Sequence, residues 1–138
     1  MRGYIIYALL AALFASLVPI FGKLGLRDVN PTLATAVRAV IMAVFLVGVA
    51  LLSGSTRVSE IDSRALLLIT LSGLAGALSW LFYFMAIKNG KVPAVIAIDK
   101  TSVALAIFLS WIVLGSRMNL KTALGAILIV LGALLVSL

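Results

Sequence analysis

The sequence predicts an all-α integral membrane protein with five transmembrane helices. Of its 138 residues, 64% are apolar, well above the roughly 45–50% of soluble domains. Only fifteen residues are charged, eleven basic and four acidic, and the gaps between them are long enough for spans of about 20 residues. The chain has no cysteine and no histidine. That composition excludes disulfide staples, thiolate or imidazole metal sites, and Cys/His or Ser/His catalytic pairs. No enzyme and no cofactor is expected.

Each helix has its own justification. Twenty uncharged residues separate Arg2 from Lys23, giving a first helix over 3–22. Arg2 and the small residues near Ala15 suggest a signal peptide, but the apolar run continues to Gly22, longer than a signal's apolar core, so a retained helix is expected. The second helix, 31–53, has Asn30 placed as its cap, Pro31 in the first turn and one internal charge, Arg38. The third, 65–87, is uncharged throughout. The fourth, 92–116, carries Asp99 and Lys100. The fifth, 119–138, joins the uncharged run from Thr122 to Leu138 to a second capping residue, Asn119. The connections are short, so residues 1–138 read as one membrane domain.

The net charge of +7 lies as single or paired basic residues at the ends of apolar runs. Such residues anchor helices in the headgroups, and no nucleic-acid partner is implied. On the N-terminal side stand Arg2, Arg57, Arg64, Arg117 and Lys121, five residues; opposite them stand Lys23, Arg27, Lys88 and Lys91, four. Orientation follows a clear basic excess in cytoplasmic loops, and a count of five to four gives almost none. One reading is a weak signal with the N-terminus inside. The other, which we favour, is insertion in both orientations and pairing with an inverted copy. Transporter folds are often built from two inverted halves around a central substrate site. Because five is odd, two such units form an inverted-repeat ten-helix transporter with no extra helix, and an unfused unit reaches it as an antiparallel homodimer. The expected bilayer is a prokaryotic inner (plasma) membrane.

Charges inside spans usually face a bundle interior or a cavity. Arg38 and Asp99 each lie seven residues into helices that start on the same side, about 10 Å deep at 1.5 Å per residue. Ser79 and Trp80 of the third helix and Ser16 of the first fall near that depth. Four helices thus contribute to one polar layer, expected to bind substrate through Arg38, Asp99, Lys100, Trp80, Ser79, Ser16 and Tyr83. Sequential residues diverge by about 100° on a helix, so Asp99 is expected to pair with Arg38 rather than Lys100. That pair either serves the site or only locks two helices together. Lys100 is then left for a substrate anion, for the partner copy or for the headgroups. Pro19 is expected to free the carbonyl of Ala15 near Ser16 and to kink the first helix. Trp80 is too deep for the headgroups and reads as a cavity wall, whereas Tyr83 and Phe84 suit an interfacial belt. Small residues at Ala8, Ala12 and Ser16, at Gly73, Gly76 and Ala77, and at Gly125 and Gly132 permit close helix contact.

The stretch from Val92 to Leu138 carries Pro93 after a short basic turn, then AIDKTSVALAIFLSWIVLG, a polar turn and TALGAILIVLGALL. With the arginine of TLATAVRAV, Arg38, it resembles a single five-helix unit of the EamA family of the drug/metabolite transporter superfamily, over almost the whole chain. The resemblance implies a transporter completed by a second unit. After Leu114 and Gly115 the family commonly shows a glutamate, and this chain has Ser116. The first span contains no acid, unlike the related small multidrug resistance proteins, which disfavours their carboxylate-centred cation exchange.

No glycine-rich phosphate loop is present, so transport would be secondary. Arg38 and Lys100 against Asp99 leave a surplus of +1, which favours a small anionic or zwitterionic metabolite meeting Lys100, with Trp80 on its apolar part. Two other functions remain open at this stage: a non-transporting subunit of a hetero-oligomeric membrane complex, and a component of a lipid flippase or scramblase.

Overall fold

The computed structural model describes residues 3–138, so Arg2 lies outside the described residues. Its helices are α1 (Gly3–Gly25), α2 (Pro31–Leu52), α3 (Ser63–Asn89), α4 (Val92–Asp99), α5 (Thr101–Leu114) and α6 (Leu120–Ser137), with a short 3-10 turn at Val58–Glu60. Among the described residues there are no strands, and five stretches are long and apolar enough to cross a membrane, α4 and α5 together forming one. The five-helix membrane class expected from composition is therefore the observed one.

Both expected caps are present. Asn30 Oδ1 accepts the N–H of Thr32 at 2.8 Å, and Asn119 Oδ1 accepts the N–H and hydroxyl of Thr122 at 2.9 and 3.0 Å. Each satisfies donors that a helix start leaves without an intrahelical partner. Asp62 does the same for α3, accepting the N–H of Ala65 at 2.7 Å, which starts that helix before the position expected from the charge-free run. Three further boundaries differ from expectation. Helix α1 continues to Gly25 and is unbroken through Pro19, α3 runs on to Asn89, and the fourth span stops at Leu114. There Gly115 adopts the left-handed conformation, with φ 63°, which costs glycine least.

The fourth span is not one helix. At Lys100 the backbone N–H is shared between the carbonyls of Ile96 and Ala97, each at 3.2 Å, and Val103 N–H reaches back only to Lys100 O at 3.1 Å. The ladder tightens there toward the three-residue spacing of a 3-10 turn. Thr101 Oγ1 caps the carbonyl of Ile98 at 2.7 Å.

The chain divides into two compact units, one made of the first helix to Lys23 with Asn89–Leu138, the other of Leu24–Lys88. In the first unit, α6 packs along both α4 and α5 and so holds the interrupted span together. Lys23 Nζ donates to the carbonyl of Gly90 at 3.3 Å. In the second unit, α2 and α3 meet through side chains, and Lys88 Nζ donates to the carbonyl of Val29 at 2.6 Å. Two lysines that flank spans thus also satisfy backbone carbonyls. The buried apolar residues of this unit are Leu26, Phe84 and Ile87, while most other aliphatic side chains are exposed, as suits helices solvated by lipid tails. The glycines expected to bring helices together remain uncovered: within its own unit, nothing lies within 4 Å of a Cβ built at Gly73, Gly76, Gly125 or Gly132.

Candidate functional site

The second unit builds its polar centre on Arg38. Seven residues after Pro31, it is the single charge within α2. Its guanidinium carbon lies 3.7 Å from the centroid of the Trp80 ring and 5.9 Å from that of Phe84. The first distance is van der Waals contact, so the cation lies on the indole face, where the ring quadrupole attracts it. Trp80, Tyr83 and Phe84 are spaced i, i+3, i+4 on α3 and share a face. Trp80 meets Tyr83 edge to face at 5.4 Å and Phe84 at a tilt at 6.0 Å. Phe84 is only 4% exposed, so it is a core residue packed beside the indole, not the interfacial residue expected from the sequence. Tyr83, half-buried, closes the cluster. Ser79 lies one turn before Tyr83 and is exposed.

The first unit contributes a different centre. Asp99 Oδ2 accepts a hydrogen bond from Lys100 Nζ at 3.0 Å, and the two side chains are 31% and 57% exposed. This corrects the expectation that these neighbours diverge too far to pair. The long lysine stem brings its ammonium back onto the carboxylate of the preceding residue, at the point where the helix ends at Asp99 and resumes at Thr101. Within their own units Arg38 lies against Trp80 and Asp99 meets Lys100. The Ser16 hydroxyl donates to the carbonyl of Leu13, one turn back on its own helix, at 2.7 Å.

At the end of α5, Ser110 Oγ donates to Ser116 Oγ at 2.9 Å, while the N–H of Ser116 reaches the carbonyl of Ser110 at 3.3 Å. A neutral hydroxyl fits this place, because the carbonyls of a helix C-terminus disfavour a nearby anion.

The model of the EamA-like transporter family matches residues 2–138. The chain belongs to this family. A curated relative from Sinorhizobium sp., named an uncharacterized transporter in the cobO 3' region, is 37% identical over 132 residues, covering 95% of this chain and 94% of the relative. The relative is thus also about the length of one five-helix unit. No solved structure matches the chain. Family and relative agree with the membrane-transporter class that the spans and interior charges suggested.

Among the expected site residues, Arg38, Trp80 and Tyr83 are brought together, Asp99 and Lys100 form a second pair, and Ser16 and Ser79 take no part in either cluster. Phe84 is the residue that sequence reasoning placed elsewhere. Its i, i+4 relation to Trp80 was the available signal.

Proposed function

We propose that this chain is a secondary transporter of small anionic or zwitterionic metabolites, working as an antiparallel dual-topology homodimer in a prokaryotic inner (plasma) membrane. The observation that carries the reading is the Asp99–Lys100 pair. It sits seven and eight residues into a 23-residue apolar span, yet keeps 31% and 57% of its side-chain surface uncovered. Charge at that depth is not left facing lipid tails; it faces a water-filled cavity or another protein surface. Arg38 on Trp80 gives the second unit a polar centre of its own, also inside a span.

Three features support pairing of inverted copies. The flanking basic residues number five against four, the glycine faces of α3 and α6 are uncovered within their units, and the relative is a chain of similar length. We assign substrate binding to Arg38, Ser79, Trp80 and Tyr83 of one unit and to Ser16, Asp99 and Lys100 of the other. The test is counterflow uptake by the purified protein alone in lipid vesicles loaded with amino acids, dicarboxylates or sugar phosphates. Saturable exchange of one class supports the proposal. Exchange appearing only when a different, copurifying chain is present would instead make the protein a subunit of a larger complex.

A further inference from the structure

We infer that Arg38 is the residue that grips the anionic group of the ligand, and that this ligand is a small organic carboxylate whose apolar or planar part lies beside Trp80. The inference deepens the transporter reading and rests on it for what delivers and removes the ligand; the binding step is testable without it.

The Arg38 guanidinium is held by an aromatic ring of its own unit. Its carbon is in contact with the indole at 3.7 Å, with Phe84 to the side at 5.9 Å. A cation–π contact takes up none of the five N–H donors. Among the described residues of its unit, no acceptor takes these donors and no carboxylate lies within 4.0 Å. The unit's acids, Asp28, Glu60 and Asp62, all sit in the connections between helices. Glu60 is paired with Arg57 at 3.2 Å, and Asp62 caps α3. A charged group with unspent donors inside an apolar span is costly unless something satisfies it.

The indole contact holds the guanidinium in place, and a guanidinium fork presents paired N–H groups to a carboxylate, which accepts them side by side. Lys100 is poorly suited to this role because its ammonium already meets Asp99 at 3.0 Å and the pair is neutral. A lipid headgroup is also a poor occupant. Arg38 lies seven residues inside α2, about 10 Å along the helix from its start, whereas phosphodiesters remain at the membrane surface. An apolar or aromatic substituent next to the carboxylate finds Trp80 and the half-buried Tyr83 beside the fork.

The chain has two tryptophans, so Trp111→Phe leaves Trp80 as the single indole reporter. In that background, succinate, benzoate, inorganic phosphate and tetraphenylphosphonium are titrated against Trp80 emission, in detergent and in nanodiscs of zwitterionic or anionic lipid. A carboxylate should change the emission saturably. Charge-assisted hydrogen bonds of this kind imply that Arg38→Gln weakens binding by about tenfold or more, while Arg57→Gln, in the exposed connection between α2 and α3, leaves it within about threefold. Arg38→Lys keeps the charge without the fork; it should fold and show intermediate affinity. Near-UV circular dichroism of each variant shows whether the aromatic cluster is intact.

The assignment is overturned by loss of binding in Lys100→Ala but not in Arg38→Gln, by no saturable response to any carboxylate, by equal binding of tetraphenylphosphonium, or by anionic lipid displacing the carboxylates. Vesicle uptake separates the two levels. Binding without uptake refutes transport and leaves the Arg38 site standing, whereas unaltered anion uptake by Arg38→Gln refutes the site and leaves transport standing.

Discussion

Replacing Trp80 tests whether the Arg38 stack stabilises the second unit. A cation on an aromatic face contributes about 0.5–1 kcal/mol when exposed and about 2 kcal/mol when desolvated. Arg38 is half-buried, and its second ring is near the outer limit of the interaction at 5.9 Å, so a coupling energy of about 1–1.5 kcal/mol is expected. Trp80→Leu and Arg38→Met, made singly and together in the Trp111→Phe background, form a double-mutant cycle. Unfolding in bicelles is followed by steric trapping or by circular dichroism in an SDS titration. Each single variant loses the stack, and the double variant should cost less than their sum by the coupling energy. Trp80→Phe should fall between wild type and Trp80→Leu, because phenylalanine keeps a weaker ring quadrupole. A coupling below about 0.3 kcal/mol, or no difference between Phe and Leu at position 80, would show that the contact is incidental.

Asp99→Asn leaves Lys100 without its carboxylate inside a span. It should destabilise insertion by about 1–3 kcal/mol, while Asp99→Asn combined with Lys100→Met recovers most of the loss, as glycosylation-mapped insertion of the Val92–Leu114 segment would reveal. Gly115→Ala places a side chain in a left-handed backbone at φ 63° with open space around its Cβ, so the cost is purely conformational, about 1–2 kcal/mol, with Gly115→Asn milder; thermal unfolding measures it. Asn119→Ala removes the cap of α6 and should cost about 1 kcal/mol in the same assay. Adding three lysines between Gly54 and Ile61 should fix one orientation and abolish uptake unless an oppositely biased copy is coexpressed.

The apolar runs bounded by Arg2, Lys23, Arg64 and Lys88 read directly as spans, because lipid leaves the backbone no alternative to helix at such length. Asn30 and Asn119 were legible as caps because residue type and position both pointed the same way. The joint at Lys100 was not legible. No glycine or proline marks it, and the apolar pattern runs through without interruption, so Asp99 and Lys100 read as residues on a regular helix that cannot meet. Depth counting placed Arg38 and Trp80 at one level, yet depth says nothing of rotation about the helix axis. Whether an arginine there meets an indole depends on which faces of α2 and α3 confront each other. Phe84 shows the same limit: proximity to a helix end suggested the interface, while the face shared with Trp80 decided burial.

The antiparallel dimer is the premise on which a five-helix chain becomes a complete transporter, and the absence of cysteine from the sequence gives it a clean test. Ser59→Cys places one thiol in the exposed connection between α2 and α3. Labelling intact cells with a membrane-impermeant maleimide, before and after permeabilisation, counts the copies facing each way. Two opposite populations of comparable size are expected, with an impermeant quencher of the label silencing only the outer one. Labelling that is wholly accessible, or wholly protected until permeabilisation, would mean a single orientation and would contradict the inverted homodimer.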